Sequence, residues 1–364
     1  MKDALDAFEL TRHQYYHRPS KCGKAKAARP GLRPSTHTDH YDVHGRLSTR
    51  SNEEVVKRMQ DIQHDDDLRC GYKRMTAQIQ LQGYKINAKK VYRLMKQANL
   101  LMTRHRSKRG PYVTQRCARP DKPLTLLEMD IKMFWVEEYE RYAYVLTILD
   151  TFTRSALHWR MGYSMRWGDV RQAWEVVIEQ HLQAADMLAK GFAIEVRSDN
   201  GPQFVAQRLR EFFAQNHLCQ VYTHPYTPQE NGHVESFHSI ISLALRNDHF
   251  WTLEQLETRL SIFYEKYNNS RVHSGVAMLP PNLFWQVWQQ GQIRVSKNKR
   301  GKLIFKLLKG RHLLSGNLKQ EAASRSGLIQ LEAGEDQQIQ QRQVNGPVTH
   351  QQPSVQLSPS AASR

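Results

Sequence analysis

Apolar and polar residues follow a regular order between residues 124 and 247, and that order predicts an α/β layer. Three runs rich in aliphatic and aromatic residues predict successive strands joined by tight connections: LTLLEMDIKMF (124–134), YAYVLTILD (142–150) and RSALHWRM (154–161). The pattern then predicts a helix, a strand, a helix, a strand and a helix, at residues 167–190, 192–198, 204–216, 218–223 and 232–247. This order of elements predicts a sheet covered by helices.

Three motifs each place one acid near the end of a predicted element. They are MDIKMF with Asp130, RSDNGPQF with Asp199 and TPQENGHVESF with Glu235, and 68 and 35 residues separate the acids. Spacings this long carry meaning only if the fold brings the carboxylates together, and the predicted topology puts Asp130 on the first, central strand. Taken singly, Asp199 is also explained as a turn residue, and Glu235 as an acid favoured at a helix N-terminus.

The order of elements and the three motifs resemble the RNase H-like integrase core. The chain is similar to the bacterial insertion-sequence transposases of the IS-three family from about residue 55 to about residue 290. The resemblance implies an α/β fold, with a mixed five-stranded sheet flanked by helices, preceded by an all-α helix-turn-helix DNA-binding domain. Asp130 matches the first acid of the family, Asp199 in SDNG the second, and Glu235 the third.

Three carboxylates suit the cutting and rejoining of phosphodiesters that the resemblance implies. Two Mg²⁺ ions activate the attacking oxygen and stabilise the leaving oxygen, and such hard cations take oxygen ligands. The resemblance implies that Asp130 bridges both ions while Asp199 and Glu235 each hold one, with Mn²⁺ as a substitute. Two other acids compete for these roles and rank below the triad: Asp150 at the end of the second strand and Glu230 in the loop before Glu235.

The charge of the chain predicts a polyanionic partner. Its 364 residues carry a net charge of +18, and residues 1–125 alone hold 27 Lys plus Arg against 12 Asp plus Glu. Because Lys and Arg that neutralise phosphates release counterions, the DNA-reading part is expected before the core, with a merely solvated basic surface as the alternative. No apolar stretch approaches the roughly 18–20 residues of a membrane span.

The cysteines and the early histidines predict no metal module. The four cysteines form no CxxC pair, so the sequence implies neither a disulfide framework nor a structural zinc site. His40 and His44 have the spacing that opens a zinc module, but the closing Cys-x₂-Cys does not follow them. They are interpreted as loop histidines.

Residues 53–101 predict helices that resemble the second helix-turn-helix of the family. Asn87 is the predicted N-cap of the last helix, in which Val91, Leu94 and Met95 face inward. Such a helix suits a major groove, and a basic bundle that only packs on the core is the alternative. Six residues are predicted to bind DNA: Arg74, Lys89, Lys90, Arg93, Lys96 and Arg246.

Composition divides the chain into six predicted segments. They are an N-terminal basic segment and linker (1–50), the helix-turn-helix domain (51–103), a basic linker (104–123), the catalytic core (124–290), a basic extension (291–314) and a disordered tail (315–364). Near the end of the core the resemblance includes the pattern YN..R.H. Its matching residues are predicted to brace the active-site helix, with DNA contact as the second choice: Tyr267, Asn268, Arg271 and His273.

Two positions depart from the family pattern. Ser242 stands where the family usually has Lys or Arg to hold the DNA end, and His238 and Arg246 are the nearest replacements. Leu127 stands where Trp is common. The departure at Ser242 keeps open a catalytically impaired DNA-binding regulator, and an RNase H-like nuclease without strand transfer is the rival enzyme.

Taken together, these features predict a DNA transposase that cleaves 3′-ends and transfers strands at the terminal inverted repeats of its element. The resemblance further implies double-stranded DNA as partner, a homo-multimer on paired ends and a fusion with, or binding to, an upstream-frame DNA-binding protein. It implies no membrane partner, and a cytoplasmic, nucleoid-associated location.

Overall fold

The computed structural model describes residues 35–102, 120–188, 191, 193–223, 231–298, 301 and 303–314. The described residues belong to two units, the first of which ends at His37 and the second of which begins at Thr38. In the first, the Ser35 hydroxyl donates to the His37 carbonyl oxygen at 2.7 Å. Several predicted features lie outside the described residues: the segment before residue 35, most of the basic linker, the loop with Glu230 and the tail at 315–364.

A small helical layer forms where the helix-turn-helix was predicted. Its helices are α1 (Asn52–His64), α2 (Tyr72–Leu81) and α3 (Ala88–Gln97). The predicted N-cap is confirmed, because the Asn87 side chain accepts from the backbone N–H of Lys90 at 2.9 Å. The apolar faces pack into one core that includes Val55, Met59, Met75, Ile79, Val91, Leu94 and Met95.

A three-stranded sheet adjoins these helices and was not predicted. Its strands are β1 (His37–Tyr41), β2 (Leu47–Ser51) and β3 (Tyr84–Lys85), in the order β2-β1-β3. Residues 1–50 were predicted from composition to be a basic segment and linker, and β1 and most of β2 correct the last part of that prediction. Likewise His40 lies on a strand, with its ring 4.5 Å from that of Tyr84. Gly83 has a φ of +95°, and an added Cβ would lie 2.2 Å from the Tyr41 carbonyl oxygen.

The core contains the predicted mixed sheet of five strands. In chain order they are β4 (Leu126–Val136), β5 (Arg141–Asp150), β6 (Ala156–Gly162), β7 (Ile194–Ser198) and β8 (Leu218–Tyr222). Their order in the sheet is β6-β5-β4-β7-β8, with β4 antiparallel to β5 and parallel to β7. The prediction that the first strand of the core is central is therefore confirmed.

Helices cover both faces of this sheet. One face packs against α4 (Trp167–Val177), which continues as a π-helical segment (Ile178–Gln183), and against α5 (Pro202–Val205) and α6 (Gln207–Gln215). The other face packs against α7 (Gly232–Ala244) and α8 (Leu253–Asn269). Side chains alternate along β4, so that Leu127 and Met129 enter the first core while Phe134 and Val136 enter the second.

The last described elements join the core to the helical layer. They are α9 (Pro281–Gln289), the antiparallel hairpin of β9 (Ile293–Lys297) and β10 (Leu303–Leu307), and a 3₁₀ turn (Arg311–Leu313). Ala77 and Leu81 of α2 share a core with Leu283 and Phe284 of α9. The basic extension at 291–314 is therefore a packed hairpin and turn in its described part.

Candidate active site

The first two acids of the triad lie on neighbouring parallel strands. In the β4–β7 ladder, Leu127 pairs with Val196 and Glu128 with Arg197. Continuing this register by two residues sets Asp130 level with Asp199, which directly follows β7. Two acids that are separated by 68 residues in the sequence therefore lie side by side on adjacent strands.

Asp130 is partly buried among other charges. Its side chain is 22% exposed, and its Oδ1 accepts from the backbone N–H of Ile131 at 2.8 Å. Burial raises the pKa of Asp130 to about 6, and the negative charges of Asp199 and Glu235 add to this effect.

Asp199 and Glu235 are more exposed than Asp130. Asp199 lies in a turn in which its Oδ1 accepts from the Gly201 N–H at 3.0 Å, so the turn explanation describes its local geometry as well. Glu235 lies in the first turn of α7, and partial burial raises its pKa. Within the described parts of the chain, no group of three or more His, Cys, Asp and Glu side chains converges closely enough to hold a metal ion.

A buried acid that sequence reasoning did not single out connects β4 to α7. The Oε2 atom of Glu128 accepts from the backbone N–H groups of His233 at 3.0 Å and Val234 at 2.8 Å. Burial raises the pKa of this carboxyl to about 7, although both hydrogen bonds and the charge of Arg154 act in the opposite direction. The available signal was an acid inside an apolar strand, two residues before Asp130.

The face of α7 near Asp130 carries a histidine. The Nδ1 atom of His238 lies 3.4 Å from Oδ2 of Asp130, and burial lowers the pKa of the ring to about 4. His238 therefore lies beside Asp130 and is neutral at pH 7, and its role as a replacement DNA-end contact stays a prediction. Ser242 remains exposed, and its hydroxyl donates to the His238 carbonyl oxygen at 2.7 Å.

Asp150 has a structural environment. It is fully buried, and its carboxylate accepts from the Thr153 hydroxyl at 2.6 Å and from backbone N–H groups at Leu124, Phe152 and Thr153. These bonds close the turn between β5 and β6. Its rank below Asp130 as a catalytic acid agrees with this arrangement.

The closing segment braces the core in two places. The ring of Tyr267 lies 4.8 Å from that of Phe237 on α7, which agrees with the predicted bracing of the active-site helix. Asn268 accepts from the Ala156 N–H at 3.0 Å and donates to the Ala156 carbonyl oxygen at 2.9 Å, and so holds β6. His273 packs against Tyr267 with ring centroids 4.6 Å apart.

The predicted DNA-binding residues have unequal exposure. Lys89 and Lys96 on α3 and Arg246 after α7 are exposed. Lys90 and Arg93 are half-buried, and the Lys90 ammonium group donates to the Thr38 hydroxyl at 2.7 Å.

Arg74 of α2 has a different environment from the basic residues of α3. It is half-buried, and its charge lowers the pKa values of Arg271 and His273. Arg74 therefore lies on the side of the helical layer that meets the core. The role of Arg74 as a DNA-binding residue stays a prediction.

The loop between α1 and α2 is joined to α8 by ion pairs. Oδ1 of Asp67 accepts from Nη2 of Arg259 at 2.7 Å, and Oδ2 of Asp65 accepts from Nζ of Lys266 at 2.8 Å. Arg271 also donates to the Asp67 carbonyl oxygen. We call this set of contacts, between the loop residues Asp65 and Asp67 and the basic residues Arg259, Lys266 and Arg271, the acidic latch.

Comparisons with protein families agree with this architecture. Two models described as integrase core domain match residues 120–228 and 217–281, and a model described as HTH-like domain matches residues 50–109. These matches confirm the prediction of an integrase core preceded by a helix-turn-helix-like domain.

Similar proteins come from mobile elements and retroviruses. The chain is 27% identical to the uncharacterized 31.7 kDa protein of insertion element IS407 of Burkholderia multivorans, over 67% of this chain and 84% of that protein. It is 24% identical to the transposase for insertion sequence element IS904 of Lactococcus lactis, over 66% of this chain and 98% of that protein. The HTLV-2 integrase catalytic core domain, solved in complex with magnesium, is 20% identical over 43% of this chain and 94% of that chain, with a TM-score of 0.30.

In the described part of the chain, none of the helices has the length and apolar character needed to cross a bilayer.

Proposed function

We propose that this chain, a member of the integrase-core family of insertion-sequence transposases, is a DNA transposase that binds the terminal inverted repeats of its own element. In this proposal it exposes a 3′-hydroxyl at each end by hydrolysis and transfers that end to another phosphodiester. The observation that carries the proposal is that Asp130, on the central strand, contacts the helix that bears Glu235 and lies beside the strand that Asp199 directly follows.

The donor set at this face suits divalent cations. All three acids offer oxygen ligands, and within the described residues no Lys or Arg forms an ion pair with any of them. Burial is the main reason for the raised pKa of Asp130, and the negative charges of Asp199 and Glu235, which a cation would offset, add to it. Asp130, Asp199 and Glu235 would together hold the two Mg²⁺ ions, and Mn²⁺ would be able to substitute.

Bound Mg²⁺ supplies activation of the attacking oxygen and stabilisation of the leaving oxygen. The chain itself supplies the alignment of its carboxylates. The Ile131 and Gly201 N–H groups orient Asp130 and Asp199, and the neutral ring of His238 lies beside Asp130 without adding a competing positive charge. Because Asp199 and Glu235 are exposed, both side chains are able to move toward a cation without repacking the core.

DNA recognition belongs to the basic surface of the helical layer in this proposal. Lys89 and Lys96 lie exposed on α3. Lys90 attaches that helix to β1 through its hydrogen bond to Thr38, and the half-buried Arg93 is the other basic residue of this region. Arg246 extends the basic surface beyond the end of α7. The proposal includes a multimer on paired element ends, joining or binding of an upstream-frame DNA-binding protein, and a cytoplasmic location at the nucleoid.

The test is cleavage and strand transfer on a labelled duplex copied from the DNA that flanks the gene, with Mg²⁺ or Mn²⁺. The wild type is compared with Glu235→Gln and with Glu257→Gln, which alters an exposed acid on α8 away from the triad. We expect metal-dependent cutting followed by joined products in the wild type and in Glu257→Gln, and neither step in Glu235→Gln.

Three other outcomes would overturn the proposal in different ways. Cutting without joining identifies a nuclease of the RNase H-like class. Binding without cutting by any of the three proteins identifies a DNA-binding regulator, provided that fusion to the upstream frame does not restore cutting. Equal cutting by the wild type and Glu235→Gln removes Glu235 from the catalytic set.

A further inference from the structure

The N-terminus of α7 lacks a cap from its own segment. Asn231 is the N-cap residue, but its side chain makes no capping hydrogen bond. The first N–H groups of any helix have no partner within the helix, and a buried N–H group without an acceptor is costly. Helix α7 needs an acceptor from elsewhere in the fold, and Glu235 lies in this same first turn.

Glu128 supplies that acceptor from the opposite layer. Its Oε2 receives the N–H groups of His233 at 3.0 Å and of Val234 at 2.8 Å. The side chain is 1% exposed, and the positive charges of Arg154 and Arg197 act on it. A carboxylate at a helix N-terminus also interacts favourably with the helix dipole.

The position of Glu128 in the strand joins the helix to Asp130. Residues two apart in a β-strand point to the same face, so Glu128 and Asp130 both face α7. The helix contacts the strand a second time, through Nδ1 of His238, which lies 3.4 Å from Oδ2 of Asp130. Glu235 lies between these two attachments, one residue after Val234 and three residues before His238.

We propose that Glu128 is a positioning residue, which fixes the distance between Glu235 and Asp130 by capping α7 from the central strand. The inference rests on the proposed function, because it assigns Glu128 to the same reaction. Glu128 does not touch the reacting atoms in this scheme. It acts only through the helix that carries Glu235, and a neutral acceptor of the same length is therefore expected to replace it.

The test compares three variants with the wild type. Glu128→Gln keeps an oxygen that accepts from both N–H groups, whereas Glu128→Met keeps the length and removes the acceptor. Thr252→Ala is the matched control, since Thr252 caps the neighbouring α8 by accepting from the Gln255 N–H at 3.3 Å, away from the acids. Its removal loosens a helix end without altering the link between β4 and α7.

The expected results separate positioning from general stability. Cleavage turnover should fall about 100-fold in Glu128→Met, because small displacements of a catalytic group have effects of this size, and DNA affinity should stay unchanged. Glu128→Gln should stay within about threefold of the wild type, since its two hydrogen bonds remain. Thr252→Ala should keep wild-type turnover.

A second measurement does not depend on activity. Hydrogen exchange of the His233 and Val234 amides should be faster in Glu128→Met than in the wild type, and unchanged in Glu128→Gln and Thr252→Ala. Mn²⁺ binding, followed by titration, should weaken about 10-fold in Glu128→Met, the usual size for loss of a residue that orients a ligand.

Each contrary outcome has a distinct meaning. Wild-type turnover or unchanged amide exchange in Glu128→Met overturns the inference. A Glu128→Gln protein as inactive as Glu235→Gln also overturns it, because the carboxylate would then take part in the chemistry directly. If the wild type does not cleave DNA even after fusion to the upstream frame, the proposed function fails, and amide exchange and Mn²⁺ binding still decide the role of Glu128.

Discussion

Two groups of carboxylates in this protein have opposite electrostatic surroundings. Asp65 and Asp67 in the acidic latch are paired with Lys266 and Arg259, and Asp67 is nearly fully buried by these contacts. The triad acids have no such partners among the described residues, and burial with mutual repulsion raises the pKa of Asp130. The first group holds the helical layer on the core. The second lowers the free energy of unfolding as long as no cation is bound.

The largest expected effect, on the cleavage rate, comes from removing the charge of one triad acid. Asp130→Asn should lower cleavage about 1000-fold, the size associated with losing one preorganised electrostatic contact to a transition state. The same change should raise the metal-free free energy of unfolding by about 1–2 kcal/mol at pH 7, because it removes a carboxylate whose pKa the fold raises. Cleavage rates and urea unfolding without metal measure the two effects.

Loss of both activity and stability in Asp130→Asn would contradict this comparison. It would mean that Asp130 holds the fold in the way that the latch acids do. Thr147, which pairs with Asp130 across the β4–β5 ladder, offers a control, since Thr147→Val alters the neighbouring buried position without changing the charge. That variant should not gain stability, because Thr147 is within hydrogen-bond distance of the Tyr264 hydroxyl.

Removing a carboxylate from the acidic latch is expected to lower the free energy of unfolding, whereas Asp130→Asn should raise it. Asp67→Asn should lower the free energy of unfolding by about 2 kcal/mol, because it removes the buried carboxylate from the Arg259 guanidinium, which then keeps only Asp248 as an ion-pair partner among the described residues. Urea unfolding at pH 7 measures this loss. Asp61→Asn is the matched control: its pair with Arg58 spans 3.9 Å with both side chains 57% exposed, and it should change stability by less than about 0.5 kcal/mol.

Of these two groups of carboxylates, the sequence predicted the triad and not the acidic latch. Asp130, Asp199 and Glu235 stand in three motifs whose order and predicted elements point to one sheet edge, so the triad could be proposed from residues alone. The run of three acids at 65–67 carries no comparable pattern. Its partners lie about 190–200 residues later on α8, and only tertiary packing brings them together.

Two further features were missed for the same physical reason. The capping role of Glu128 depends on a contact between residues more than 100 positions apart, and local patterns do not encode such contacts. The short strands β1 and β2 were hidden by polar composition, since most of their side chains remain exposed or half-exposed. By contrast, β4 and α4 bury strongly periodic apolar faces, and their existence was predicted correctly.

A third effect concerns a neutral base beside the latch. Burial and the charges of Arg271, Arg74 and Arg154 lower the pKa of His273 to about 3. The unfolded chain binds a proton there below about pH 6.5 while the folded protein does not, so stability is full above pH 6.5 and declines as the pH falls. At pH 5 the loss should be about 2 kcal/mol.

His273→Gln tests this pH dependence. The variant should lose the share of the decline that His273 causes, which is seen as a smaller difference between urea midpoints at pH 7 and pH 5. His249→Gln is the control, because His249 is exposed and its replacement should leave the decline unchanged. Equal declines in His273→Gln and the wild type would show that other groups cause the acid sensitivity.

The smallest expected effect extends the comparison to the basic residues. Arg259, Lys266 and Arg271 are engaged by the latch, whereas Lys89 and Lys96 on α3 are exposed. If the exposed pair contacts phosphates, Lys89→Ala with Lys96→Ala should reduce the slope of log affinity against log salt by about 1.8 for repeat DNA. The double variant Lys306→Ala with Lys309→Ala, on the exposed part of the C-terminal hairpin, is the matched control. A smaller change in the control locates phosphate binding on α3, while equal changes would mean that DNA contacts are spread over the basic surface of the chain.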